Sequence, residues 1–308
     1  MLRPRRLSRR ALQQITILAA LVVIIIAFSV LSPVFLSAAN LRNIVLQSSV
    51  IGILAVGMTM VILIAGIDLS VGSAVAFCGM LAALLQHYST PFAALVGVAA
   101  GTAGGLCIGL LITGFSLPPF IATLGFMALY RGLTLIISGG QSVSITTGME
   151  RLLGRNMPIV YFLAGALIVY FILNKTQFGR YQYAIGGNEE AAKLSGIRVR
   201  RVKVGVFTIM GALCGVAGVA LAARQAAGDP NAGVMYELDA IASVVIGGTS
   251  LMGGYGGIGG TIVGVLIIGT LTNGLQLLNV RDEWQQVAKG LIIIAAVVMD
   301  TLTRRRAR

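Results

Sequence analysis

The sequence predicts an all-α polytopic membrane protein of about ten transmembrane helices, built as a single transmembrane domain over residues 1–308. Three observations predict it. The 308 residues are 57% hydrophobic and only 11% charged, with a mean hydropathy of +0.92, whereas a soluble domain covers its surface with about 25% charged residues. Apolar runs of about 20 residues, the length that crosses a bilayer, recur from end to end. Sixteen of the 23 Lys and Arg are bunched in three places, the N-terminus 1–12, the stretch 174–203 and the C-terminus 304–308. Basic clusters beside apolar runs mark the cytoplasmic side. The same composition excludes disorder, and 40 Gly without a period of three beside 7 Pro exclude a collagen-like chain.

The first apolar run, Ile15 to Leu31, follows a basic segment and resembles a signal peptide, but its length and the runs behind it favour an uncleaved first helix ended by Pro33. Further spans fall near 44–66, 71–87, 92–114, 117–137, 158–173, 204–223, 238–253, 257–279 and 286–303. The stretches 66–73 and 252–260 read as breaks within spans or as re-entrant turns, and 238–253 is short and polar at its start. An even number of spans puts both termini and the 174–203 loop on the cytoplasmic side, which agrees with all three basic clusters. Residues 138–157, 224–237 and 280–285 then form loops on the opposite face. Ten spans divide into two five-span halves of opposite orientation, an arrangement that recurs in transporters. Sequence repetition between the halves is weak: AGIDLSVGS (65–73) and GGTSLMGGY (247–255) both put Gly and Ser around an interrupted apolar run.

Glycines repeat at i, i+4 within the spans: Gly101 and Gly105, Gly211 and Gly215, Gly260 and Gly264. Such pairs let helix backbones approach closely in a medium where the hydrophobic effect is absent. Gly254, Gly256 and Gly259 satisfy G-x-G-x-x-G, but a dinucleotide fold needs a strand before the motif, and membrane helices flank it here. The dipeptide Gly-Lys never occurs, so the chain has no phosphate-binding loop of the G-x-x-x-x-G-K-[ST] type. Cys78, Cys107 and Cys214 lie inside apolar segments without a CxxC pair, and His87 is the single histidine, which leaves no disulfide framework and no metal cluster. Nucleic acid is excluded as a partner, because no soluble basic face or aromatic platform accompanies the charge.

The loop NKTQFGRYQYAIGGNEEAAKLSGIRVRRVK (174–203) carries a well-marked short helix. Gly186 and Gly187 end the preceding segment, and Asn188 caps the next one with its side-chain oxygen. Glu189 and Glu190 sit in the first turn, where the helix dipole favours acids. Ala191, Ala192, Lys193 and Leu194 are strong helix formers, and Gly196 is placed to end the helix. Physics alone leaves two readings: a docking helix for a cytoplasmic partner, or a connector whose basic end, Arg198 to Lys203, rests on anionic lipid headgroups.

Four stretches resemble the permeases of monosaccharide ABC importers, the ribose/xylose/arabinose/galactose group. They are AVGMTMVILIAGIDLSVGS (55–73), LPPFIATLGFMALYRG (117–132), GRYQYAIGGNEEAAKLSGI (179–197) and ELDAIASVVIGGTSLMGGYGGIGGTIVG (237–264). Their order and spacing match over nearly the whole chain. The resemblance implies a multi-pass subunit of the bacterial inner membrane that imports a monosaccharide by alternating access and performs no catalysis. It implies a second copy of the chain or a related permease, a cytoplasmic ABC ATPase (often a fused tandem) that carries ATP and Mg, and a periplasmic sugar-binding protein. No cofactor is implied on this chain. The coupling segment is expected at Gly187, Asn188, Glu189, Glu190, Ala192, Leu194 and Gly196.

Polar residues inside spans are candidates for the translocation pathway: Asp68, Ser70, Ser73, Thr123, Asn273 and Gln276. Asp68 has a competing reading as the cap of the next helix. Asn273 and Gln276 share a helical face at i, i+3 and either line a path or bond to a neighbouring helix. Glu237 and Asp239 open a span at the outer face, where acids stabilise a helix start. Arg224, Arg281 and Asp282 are candidates for contact with the binding protein. The alternative function is a secondary transporter coupled to an ion gradient, which needs an intramembrane carboxylate or a comparable ion site; Asp68 is the one candidate for it.

Overall fold

The computed structural model describes residues 9–305. Arg3, Arg5 and Arg6 of the N-terminal cluster, and Arg306 and Arg308 of the C-terminal one, lie outside the described residues. The described chain is built from α1 (Arg9–Leu31), α2 (Ala38–Leu63), α3 (Val71–Leu85), α4 (Thr90–Gly114), α5 (Pro119–Ser138), α6 (Met157–Lys175), α7 (Gln177–Gly187), α8 (Glu189–Leu194), α9 (Val199–Gln225), α10 (Tyr236–Ile246), α11 (Ile258–Leu277) and α12 (Asp282–Arg305). One antiparallel pair, β1 (Val143–Ser144) with β2 (Ala227–Gly228), ties the α5–α6 connection to the segment after α9. Six helices, α2, α4, α5, α6, α9 and α11, are long and apolar enough to cross a membrane, and Ile15–Leu31 and Val71–Leu85 are shorter apolar helices. The protein is an all-α polytopic membrane protein.

α2 is the central helix. Its residues from Ser48 to Leu63 are buried on every side, so α2 touches other helices where its neighbours keep exposed apolar faces. The starts of the helices are set locally. Ser37, Ser89 and Thr176 accept hydrogen bonds from the amides of Asn40, Phe92 and Gly179, and so cap α2, α4 and α7.

The glycine pairs interlock. Gly101 and Gly105 of α4 lie on Gly211 and Gly215 of α9 so closely that a β-carbon on Gly105 would stand 2.9 Å from the Gly211 Cα. Gly260 and Gly264 of α11 meet Gly247 and the Ser243 carbonyl of α10 in the same way. Each pair removes the methyl-sized obstacle between two backbones, and dispersion contact holds the helices together.

Two expectations need correction. The segment 238–253 is not one span. Its helix, α10, has 11 residues, about 16 Å of rise and half of a bilayer core; residues 247–257 then run without helix. Nor is 224–237 a loop at the surface. α3 and α9 run side by side, with Gly79 against Gly218. Gly218 is about 10 Å from the C-terminal end of α9, and Gly72 about 10 Å deeper than Gly79. From the end of α9 the chain passes Met80 and Ala83 at Gly228 and reaches Gly72 at Gly233, about halfway along a helix that is about 40 Å long. Helix formation fails there because Gly228, Pro230 and Gly233 interrupt it. Irregular backbone at membrane depth needs other partners. β1 supplies some, and the Arg131 guanidinium of α5 donates to the carbonyls of Pro230 and Ala232. The loop 174–203 is also more ordered than expected, since α7 occupies 177–187 ahead of α8.

Candidate functional site

α8 stands out at one end of the molecule. Asn188 caps it, the side-chain oxygen accepting the Ala191 amide at 3.0 Å. Gly196, at φ +81°, ends it, a left-handed conformation that costs a glycine nothing. One face holds it down. Ala192 is buried, and Glu189 accepts from Lys203 of α9 at 2.7 Å. Lys193 bridges Glu190 at 2.8 Å and Glu189 at 3.4 Å. Partial burial works to raise the Glu189 carboxyl, but the bonds and charges of Lys203 and Lys193 prevail and hold it below the usual carboxylate range. Lys193 is held above its ordinary value, chiefly by its bond to Glu190. The other face is free: Leu194 is 89% exposed, an apolar tip ringed by charge.

The pathway candidates are brought together in part. Residues 64–70 form a break between α2 and α3. Inside it one Asp68 oxygen accepts the Ser70 amide at 2.9 Å and the Ser70 hydroxyl at 2.6 Å. Ser73 donates to the Ser70 carbonyl at 2.9 Å. The Thr123 hydroxyl of α5 accepts the Leu69 amide at 3.1 Å. All four are buried and serve the backbone of the break: Asp68 closes the turn ahead of α3, whose cap position is Ser70, and Thr123 bonds the backbone of Ile67 and Leu69. Asn273 lies elsewhere. Its amide and that of Asn40 bond reciprocally at 2.9 and 3.0 Å and clasp α11 to α2. Gln276 is exposed and does not share that clasp. Arg224 is exposed at the end of α9, Arg281 pairs with Glu283 at 3.3 Å, and Asp282 accepts from Gln285 at 3.2 Å. Glu237 and Asp239 sit deep in the molecule, and Asp239 is ion-paired with Lys289 of α12 at 2.9 Å.

Sequence reasoning missed Asn40, Lys289 and Arg131. The signal for Arg131 was present, since it is the lone charge within the apolar run 117–137. No group of three or more His, Cys, Asp or Glu stands close enough to hold a metal ion among the described residues.

The protein-family model described as branched-chain amino acid transport system / permease component matches residues 40–297. The chain belongs to this permease family. Its relatives include the ribose import permease protein of Haemophilus influenzae, 43% identical over 293 residues with 91% of each chain covered. The D-allose transport system permease protein of Escherichia coli (strain K12) is 42% identical over 92% of this permease and 90% of its own length. The L-arabinose ABC transporter permease protein of Azospirillum brasilense is 39% identical, over 93% and 88%. No solved structure matches. The permease match starts at residue 40 and ends at 297, so it takes in both helix breaks, α8 and the inward-running 226–235 segment.

Proposed function

We propose that the chain is the transmembrane subunit of an ABC importer that moves a monosaccharide across the bacterial inner membrane. The observation that carries this reading is α8: a capped, anchored helix whose free face presents an apolar knob, Leu194, to a partner outside the membrane. Full-length similarity to ribose, D-allose and L-arabinose permeases supports a sugar as cargo within a family whose description names branched-chain amino acids. In this reading a cytoplasmic ABC ATPase docks on α8, carries the ATP and Mg, and supplies the work. A periplasmic binding protein delivers the sugar to the face that carries Arg224, Arg281 and Asp282. A second copy of the chain completes the channel, and this subunit performs no chemistry. The ten-segment, both-termini-cytoplasmic topology with five-segment halves belongs to the same reading, and the basic residues around Arg198 to Lys203 suit the lipid surface beside α8.

The route of the sugar is better placed along 226–235 than at the knot around Asp68. Asp68, Ser70 and Ser73 are buried and bonded to one another, and Thr123 is buried and bonded to the backbone of the break, whereas Asp229 and Glu237 are half-buried beside irregular backbone inside the molecule, which at membrane depth is buried in protein or lines a cavity. The bonded state of Asp68 also weighs against the ion-coupled alternative, which needs that carboxylate for an ion.

Leu194→Asp tests the reading. The variant should insert and fold normally, because the side chain touches nothing it must leave, yet retain about tenfold less ATPase on co-purification. Retention equal to that of the unmodified chain would overturn α8 as the docking helix.

A further inference from the structure

The two helix breaks meet each other, and the end of α7 closes over the meeting point. The Gly254 amide in the second break donates to the Leu63 carbonyl at the end of α2, at 2.9 Å. Gly186 lies against both groups, and a β-carbon at Gly186 would overlap the Leu63 oxygen and the Gly254 nitrogen. A β-carbon at Gly253 would stand 2.9 Å from the Ala65 nitrogen and 3.0 Å from the Gly186 Cα. Three backbones from α2, α7 and the 247–257 segment therefore touch with no side chain between them. One turn earlier on α7, the Tyr183 hydroxyl donates to the Gly256 carbonyl at 3.0 Å. The next residue behaves differently: a β-carbon at Gly187 would meet nothing within 4 Å.

Two polar groups beside this junction lack partners. The Gln182 amide, on α7, and the Thr249 hydroxyl, in the break against Gly256, are both buried and unbonded. Unpaired polar groups in the interior disfavour the arrangement that leaves them so, which marks the junction as a place where the packing can change.

We infer that Gly186 is the positioning residue that hands movement of α8 to the two helix breaks, by direct backbone contact with Leu63 and Gly254. α8 follows α7 with a single residue, Asn188, between them, so a displacement of α8 turns the end of α7. Gly186 then presses on the 64–70 and 247–257 breaks at once, and these set the positions of α3, α10 and α11. This inference rests on the reading of α8 as the ATPase dock.

The test uses the full complex with its ATPase and binding protein in proteoliposomes, with D-ribose as the transported probe. ATP hydrolysis and uptake are measured side by side. Gly186→Ala should keep the ATPase bound and hydrolysing while uptake per ATP falls about tenfold. Gly259→Ala, beside the second break, where a β-carbon would meet nothing within 4 Å, should transport as the unmodified chain does. Tyr183→Phe, which removes one hydroxyl without adding bulk, should lower uptake per ATP about threefold. Unchanged uptake per ATP in Gly186→Ala, or equal damage from Gly259→Ala, overturns the inference. If Gly186→Ala fails to assemble, Tyr183→Phe decides: an unchanged ratio overturns the inference, and a lowered one supports it. A failure of the docking reading itself shows separately, as full ATPase retention by Leu194→Asp.

Discussion

Glu189 and Leu194 sit on one six-residue helix and have opposite tasks. Glu189 is turned back to Lys203 and fixes α8 to α9, while Leu194 points away from the molecule. The anchor should be insensitive to pH over the physiological range. Glu189 is held below its ordinary value of 4.5, so the stabilisation is present above that value and is lost only as pH falls through the lowered one. ATPase retention should therefore be flat between about pH 6 and 9, because the carboxylate stays ionised throughout. Glu189→Gln should weaken retention across that whole range, measured by co-purification at each pH. A titration of retention near neutral pH would mean that another group holds the helix. At this scale the sequence was informative about backbone and silent about partners. Asn188 and Gly196 could be read as cap and stop because both act on their own helix. Lys203 could not be paired with Glu189, because that contact depends on how α8 folds back on α9.

α10 and α12 are joined by one strong polar contact. Asp239 is 4% exposed, and its partner Lys289 comes from a helix otherwise lightly attached to the rest. Removing one partner of a buried ion pair leaves an uncompensated charge, at a cost of about 3 kcal/mol. Asp239→Asn should therefore lower the thermal midpoint of the detergent-solubilised chain, and the double change Asp239→Asn with Lys289→Met should restore most of it. Equal midpoints for the two variants would show that the pair does not secure α12. Elements whose bonds are internal were legible in the sequence: six of the expected spans appear as long apolar helices, and the breaks near 66–73 and 252–260 appear at 64–70 and 247–257. The half-helix α10 was legible only in part: 238–253 reads as short and polar at its start, but the sequence does not show that the helix stops at Ile246.

Across the whole molecule, α4 and α9 act as one body, locked through Gly101, Gly105, Gly211 and Gly215. Any rearrangement that opens one side and closes the other must turn around this pair. Gly211→Ala places a methyl group on the Gly101 carbonyl and should abolish a folded, monodisperse product in size-exclusion chromatography. Gly132→Ala on α5, where a β-carbon meets nothing within 4 Å, should leave the elution profile unchanged and slightly favour the helix. The i, i+4 spacing announced this lock in the sequence. It could not announce the descent of 226–235 into the interior, because a stretch with Asp229, Pro230, Asn231 and several glycines reads as a surface loop. Arg131, on a helix far away in the chain, helps to make that descent tolerable by bonding the Pro230 and Ala232 carbonyls, beside the pairing that β1 supplies.

The Asp239–Lys289 pair also orders the birth of the protein. The two residues are 50 positions apart, and the ribosome delivers the acid first. An 11-residue stretch that carries Glu237 and Asp239 has too little apolar length to enter the bilayer unaided. Until Lys289 follows, Asp239 lacks its cationic partner, so the contact between α10 and α12 is completed only after α11 has been made. A chain halted before residue 282 would lack Lys289 and leave the Asp239 carboxylate without that partner.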